Sequence, residues 1–233
     1  MLIFDIGSNV GEYLAHCMQH IPGSKVICVD ANPHFRNLYE TTNPFQDRYT
    51  FVNKLICSTE KGKQEFFLDP GQSGISTASR EFMENSRFKK GSKNLPPDSG
   101  TWLPTPIMIE ATTIDKLIEE YGTPNVIKID VEGFELEAVL GLSQKVDLLH
   151  LEWHEEMFEE TQQVVSHLES IGFTEFAISG YFDEGDIFDK LRYDNQGDNY
   201  AYRPSRFYPW KEIMTEDFIN PERRINYGML FAR

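Results

Sequence analysis

Leu2-Ile3-Phe4-Asp5-Ile6-Gly7-Ser8-Asn9-Val10-Gly11 is the stretch whose reading decides the fold. A short apolar run predicts a buried strand, it stops at an acid and two glycines, and a helical pattern starts at once. A strand, a glycine turn and a helix N-terminus bring backbone N–H groups and the helix dipole to one point, which makes a nucleotide-type binding loop. The same glycines would also serve an ordinary βα turn. Spacing narrows the choice. A P-loop requires Lys-Ser/Thr after its last glycine, and Glu12-Tyr13 follow here. A dinucleotide loop wants a middle glycine beside the pyrophosphate, but Asn9 holds that place and Asp5 adds negative charge. Asn tolerates left-handed backbone angles, so the turn survives the exchange. The loop suits a nucleoside ligand without phosphates, one that carries positive charge.

The chain has 233 residues, enough for one large domain, and a net charge of −15, which argues against non-specific nucleic-acid binding. Three widely spaced cysteines, Cys17, Cys28 and Cys57, read as reduced, packed thiols. Only Met1 precedes the first strand, leaving no room for a signal peptide, and no apolar run approaches the ~20 residues of a membrane span. The expectation is a cytoplasmic single domain covering 1–233, or one module of a longer chain.

Downstream, Leu14, Cys17, Met18 and Ile21 recur at helical spacing, and Lys25–Asp30 is a second strand ending in a carboxylate. An acid about 20 residues past the glycine loop suits the hydroxyls of a ribose, although Asp30 could instead cap the next helix. His16 and His20 have metal spacing but no third ligand nearby. A helix over 33–41 and a strand over 49–56 follow, then a hairpin turn at Lys61-Gly62-Lys63 into a strand over 64–68, which forms an extra pair with 107–111. The intervening segment, 69–106, is rich in Ser, Gly and Pro and gathers Arg80, Arg87, Lys89, Lys90 and Lys93. It reads as a basic loop insertion, either a solvated one or a lid over substrate.

A helix over 113–121 leads into Asn125-Val126-Ile127-Lys128-Ile129-Asp130-Val131-Glu132-Gly133. Val126–Ile129 is an inner parallel strand, where polar residues are costly. Lys128 and Asp130 share a face near its C-terminal end, where open α/β sheets bind ligands; a structural ion pair is the alternative. Glu132 is expected to open the next helix, with Phe134, Leu136, Val139 and Leu140 packing inward. A strand over 146–152 puts His150, Glu152 and, just past its end, His154 on one face, so an acid–acid–histidine cluster forms in the cleft. Asp130, Glu152 and His154 are also a hard-ligand set for a magnesium-type ion. After a helix over 156–171 and a strand over 173–179 comes an aromatic-rich insertion, 180–227, with Tyr181, Phe182, Tyr193, Tyr200, Tyr202, Phe207, Tyr208 and Trp210. It offers either a sugar-stacking wall or a cap on the sheet edge. The last strand is 228–232.

Seven strand candidates, most alternating with helices, predict a doubly wound α/β sheet. Asp5-Ile6-Gly7-Ser8-Asn9-Val10-Gly11, Asp30-Ala31-Asn32-Pro33, Thr113-Ile114-Asp115-Lys116-Leu117, Ile127 to Gly133 and Glu152-Trp153-His154 together resemble the motif series of the FkbM-type S-adenosylmethionine-dependent methyltransferases. The resemblance runs from residue 2 to about 179. It implies a class I methyltransferase (Rossmann-like) seven-stranded sheet with its last strand antiparallel. It also implies S-adenosylmethionine in the opening loop and methyl transfer to a hydroxyl, often on a sugar or natural product. By this analogy Gly7, Asn9 and Gly11 admit the cofactor, Asp5 faces its amino-acid end, Asp30 holds the ribose, Ala31 belongs to the same cofactor site, and Asn53 and Leu55 border the adenine. The acceptor would be a small molecule or glycan hydroxyl.

An aliphatic hydroxyl needs a base or a metal to become a nucleophile at neutral pH. Asp130 and His154 are the expected bases, with Glu132 and Glu152 orienting substrate or metal. Three rivals stay open. Lys128, Asp130 and Glu152 could mimic the lysine–acid constellation of RNA ribose 2'-O-methylation, against which the negative charge speaks. A dinucleotide oxidoreductase is disfavoured by Asp5 and Asn9. A non-catalytic module could bind a glycan or a partner through the aromatic segment.

Overall fold

The structure, a computed structural model, describes residues 1–42, 45–60, 62–89, 100–178, 180–182, 187–188, 207–214 and 225–233. Five parallel strands, β1 (Leu2–Ile6), β2 (Lys25–Val29), β3 (Tyr49–Val52), β7 (Val126–Ile129) and β8 (Leu148–His154), form the centre of the main sheet. On its far side β12 (Ile225–Ala232) pairs antiparallel with β8, and then with β9 (Phe176–Ile178) and β10 (Gly180–Phe182). With β9 and β10 taken as one edge, the order β3-β2-β1-β7-β8-β12-β9/β10 is a doubly wound, Rossmann-like seven-stranded sheet whose last strand is antiparallel. A short strand β11 (Ile187–Phe188) extends that edge. A second, small sheet joins β4 (Leu55–Ile56), β6 (Ile107–Thr112) and β5 (Lys63–Phe66) in the order β4-β6-β5.

Strand alternation explains the two layers. Ile3, Val26 and Cys28 pack on one face against Leu14 and Cys17 of α1 (Glu12–His20) and Tyr39 of α2 (Phe35–Thr42). Phe4, Ile6, Ile27, Ile127, Leu149 and Leu151 face the other side. There they meet α4 (Ile114–Tyr121), α5 (Glu135–Val139) and α6 (Phe158–Ser170) through Leu117, Val139 and Leu168. On the α1 face a polar row crosses the sheet. Cys28, Asp5, Lys128 and His150 are successive cross-strand partners, and Phe231 is the next.

Several boundaries differ from the sequence reading. The strand expected over 49–56 is two strands in different sheets. Asn53 Nδ2 donates to Asp30 O (2.8 Å) and Ala31 O (3.2 Å), so the chain turns away before β4. The helix expected from Glu132 begins at Glu135, because Glu132 (φ 55°) and Gly133 (φ 80°) are left-handed. Leu140, expected to pack inward, is exposed. His154 lies inside β8 rather than past its end.

The basic segment is in part a built structure. Residues 73–75 form a 3-10 turn, α3 (Arg80–Asn85) follows, and Trp102 Nε1 donates to Ile75 O (2.8 Å). Lys90 and Lys93 lie outside the described residues, as do Tyr193, Tyr200 and Tyr202 of the aromatic segment. Its described aromatic side chains cap the sheet edge: Trp210 meets Phe176 edge-on at 5.9 Å, and the Arg233 guanidinium lies 4.1 Å above Phe207.

Candidate active site

The opening loop turns over the C-terminal ends of β1 and β2. Gly7 N and Ser8 N both donate to Val29 O, at 2.8 and 3.1 Å, and Gly7 (φ 75°), Asn9 (φ 43°) and Gly11 (φ 90°) are all left-handed. Gly7 is forced by space as well, since a Cβ there would lie 1.7 Å from Asp130 O. Asn9 takes the strained angle because it is tied down: its N–H donates to Asp30 Oδ2 at 2.8 Å. Asn32 N donates to the other oxygen, Oδ1, at 2.7 Å. Burial pushes the Asp30 carboxyl up to about 6, against the pull of these two donors.

This loop borders a cavity of about 400 Å³. Gly7, Asn9, Asp30, Ala31, Leu55, Lys128, Asp130 and Glu132, all singled out in the sequence, line it. Asp5, Gly11, Asn53, Glu152 and His154 do not. Gly11 packs under the loop against Tyr39, whose hydroxyl donates to Ser8 O at 3.1 Å. Asn53 is occupied in fixing Asp30 and Ala31. Asp5 is fully buried behind Lys128, and burial raises its pKa although the lysine opposes this. The Lys128 ammonium donates to Gly7 O at 2.8 Å and lies 3.2 Å from Asp130 Oδ2 and 3.5 Å from Asp5 Oδ1. It thus joins β1, the loop and β7 from beneath.

The sequence reading missed one wall of the cavity. Gln72, Ser73, Gly74 and Ser76 close it from the basic segment, and Ser73 Oγ lies 3.3 Å from Asn9 Oδ1. Asp69 builds that wall. Its carboxylate accepts from Gly71 N (2.9 Å), Gln72 N (2.8 Å), Thr101 N (2.6 Å) and Thr101 Oγ1 (3.1 Å). The Asp-Pro-Gly-x-Ser-Gly run was the available signal, a turn-former beside two glycines.

Beside the cavity lies a second group. Ligand atoms of Glu132, Glu152 and His154 lie within 4.8 Å of one another, and His154 Nε2 is 3.3 Å from Glu152 Oε2. The metal set expected from the sequence differs by one member: Glu132 stands in it, while Asp130 leans toward Lys128. Burial alone would lower the His154 pKa, but Glu152 and Glu135 raise it to about 9. Burial, reinforced by Glu152 and Asp130, pushes Glu132 well above the usual carboxylate range. Glu135, pushed up to about 7 mainly by burial, accepts from Val131 N at 3.0 Å. His150 is not in the cluster. It sits lower on β8 with Tyr13 Oη 3.1 Å from its Nε2, and burial with Lys128 lowers it to about 3, so it is neutral.

Thr77 Oγ1 donates to Glu132 O at 2.7 Å and so braces the left-handed turn. Phe82 of α3 closes over it. Its ring meets His154 edge-on at 5.3 Å, and a Cβ on Gly133 would lie 2.6 Å from it. The cavity's own charge is acidic: Glu12, Asp30, Asp130 and Glu132 face Lys54 and a Lys128 already engaged by protein groups. Such a lining rejects phosphates and accepts a cation beside a diol, and the apolar Ala31, Leu55 and Phe66 offer a surface for a flat base. These are the demands of S-adenosylmethionine.

Residues 5–175 match the Methyltransferase FkbM domain. No curated protein matches the chain. Among solved structures it is similar to precorrin-6y C5,15-methyltransferase from Geobacter metallireducens, at 10% identity and a TM-score of 0.43, over 100% of this chain and 79% of that one. The matched family span runs from the acid of β1 to the residue before β9 and contains the opening glycine loop, Asp30 and both acid-bearing strand ends. The chain therefore belongs to the FkbM methyltransferase family and is an S-adenosylmethionine-dependent methyltransferase.

Proposed function

We propose that this methyltransferase acts on a hydroxyl oxygen of a sugar or glycan. One observation carries the reading: Asp130 and Glu132 line the cofactor cavity while Glu132 also belongs to the buried cluster with Glu152 and His154, so acceptor chemistry can take place against the cavity wall. When bound, S-adenosylmethionine supplies an electrophilic methyl group. Asp30 takes the ribose hydroxyls, Ala31 and Leu55 flank the base, and Gly7 and Asn9 let the backbone approach. Asp5 acts at the amino-acid end through Lys128. Alignment of the acceptor oxygen with the transferred carbon is the protein's main contribution.

The acceptor proton must leave as the new C–O bond forms. Asp130 is the group to receive it, since it faces the cavity and His154 does not. A divalent cation of the magnesium type would assist by lowering the hydroxyl pKa. An RNA acceptor is less well supported, because the Lys128 ammonium is 3% exposed and spent on Gly7, Asp5 and Asp130. The test is a mass-spectrometric screen of sugar and glycan acceptors with methyl-labelled cofactor. Asp130→Asn is expected to lower kcat about 10²–10⁴-fold on the acceptor found, as loss of a general base does. Full turnover by that variant would remove Asp130 from the role, and turnover only on RNA would remove the glycan reading.

A further inference from the structure

We propose that Glu132, Glu152 and His154 form a binding site for one hard divalent cation, of magnesium or manganese type. The proposal deepens the reading above by fixing which residues hold the ion, and its test does not depend on methyl transfer. The geometry comes first. Cis ligands of an octahedral ion at ~2.1 Å stand about 3.0 Å apart and trans ligands about 4.2 Å apart. The His154–Glu152 separation of 3.3 Å and the 4.8 Å limit on the whole group fall close to that range. Two carboxylates and one imidazole, with no thiolate, select a hard ion.

The second observation is the state of the donors. His154 is 3% exposed, and apart from the ion-pair approach of Glu152 Oε2 to Nε2 at 3.3 Å its ring nitrogens meet no well-formed hydrogen bond among the described residues; the buried Glu132 Oε2 has none either. Buried polar atoms are nearly always satisfied, so unmet atoms on two neighbouring side chains of one cluster call for a ligand. A plain His–Glu ion pair would account for Glu152 and would leave Glu132 unexplained. Charge points the same way. Asp130, Glu132, Glu135 and Glu152 gather where the bases close enough to interact are Lys128, His154 and, more distantly, Arg87.

The backbone is arranged to deliver Glu132. A non-glycine residue at φ 55° is strained, and Thr77 Oγ1 holds its carbonyl in place. The same bend aims the carboxylate back at β8 instead of into the first turn of α5. Phe82 walls off the side facing α3.

The experiment titrates Mn²⁺ into metal-stripped full-length protein and follows free ion by electron paramagnetic resonance. One saturable site is expected, with nitrogen modulation from a coordinated imidazole in the pulsed spectrum. His154→Gln should abolish that modulation, and His154→Gln and Glu152→Gln should each weaken binding at least tenfold while near-ultraviolet dichroism stays native. Absence of saturable binding to the wild-type protein at millimolar Mn²⁺ overturns the proposal. So does a bound ion whose spectrum lacks nitrogen coupling, a measurement that needs no variant to fold. A protein that binds Mn²⁺ here yet methylates no hydroxyl would overturn the acceptor reading and leave the ion site standing.

Discussion

In the proposed site, Asp30 serves two sets of donors. Both its oxygens already accept backbone N–H groups that shape the loop, and a ribose would add two hydroxyl donors to the same carboxylate. Burial raises its folded pKa to about 6, above the ordinary 3.8. The sign for folding follows: stability from the bound proton is fully present below about 3.8 and is lost as pH rises through about 6. Cofactor binding runs the opposite way, because hydroxyl donors favour the ionised form. The Kd for S-adenosylmethionine should therefore rise as pH falls below about 6, by up to tenfold per unit, and calorimetric titration across pH 5–8 would read it. A flat profile would show that Asp30 does not face the ligand's donors. Strand end and spacing made Asp30 legible in the sequence. Asn53 was legible only as a neighbour of the site. Period tells which residues leave a strand but not where a side chain turns in the bend that follows, and its amide goes to Asp30 and Ala31.

The wall over residues 69–76 shows the same limit at the level of an element. Neither a helical nor a strand period runs through it, so the sequence left open a solvated insertion or a lid. What orders it is one carboxylate serving four donors and a tryptophan reaching Ile75 from 27 positions away. Such long-range ties leave no periodic trace. Asp69→Ala should release the wall, costing about 1–3 kcal/mol for the donors left unmet and raising the cofactor Kd several-fold. Limited proteolysis should then cut the variant near Gly71–Gly74 under conditions that spare the native protein. Equal resistance and equal affinity would remove Asp69 as the organiser. The helix after β7 was misplaced for a related reason. Glu132 suits a first helical turn by residue type, but it is left-handed, and Thr77 Oγ1 holds its carbonyl there.

For the molecule as a whole, the strand sequence was legible because buried parallel strands are apolar runs that alternate with amphipathic helices. The small sheet was legible as a pair. Its third member, β4, was hidden because only Asn53-Lys54 separate Leu55 and Ile56 from β3, so 49–56 reads as one strand. The compact core also protects the thiols. Cys17 and Cys28 are fully buried and Cys57 is 4% exposed, and none of the three forms a disulfide among the described residues. Burial raises the Cys28 thiol well above its ordinary pKa. Native protein should leave Ellman's reagent unreacted for minutes and release three equivalents on unfolding in guanidinium. A rapid equivalent from the native state would mean that one face of the sheet opens readily.

The antiparallel strand β12 has a consequence for synthesis. It sets Met229 opposite Glu152 and Tyr227 opposite His154, and it separates β8 from β9 and β10. Until it is made, β8 keeps an open edge of unpaired N–H and C=O groups. At ~5–20 residues per second, the roughly 70 residues between the two strands take about 4–14 s to translate. For that interval the nascent chain has its cofactor cradle but exposes an apolar strand edge, the kind of surface that recruits other chains. The growing polypeptide is most in need of a chaperone between the completion of α6 and the arrival of β12.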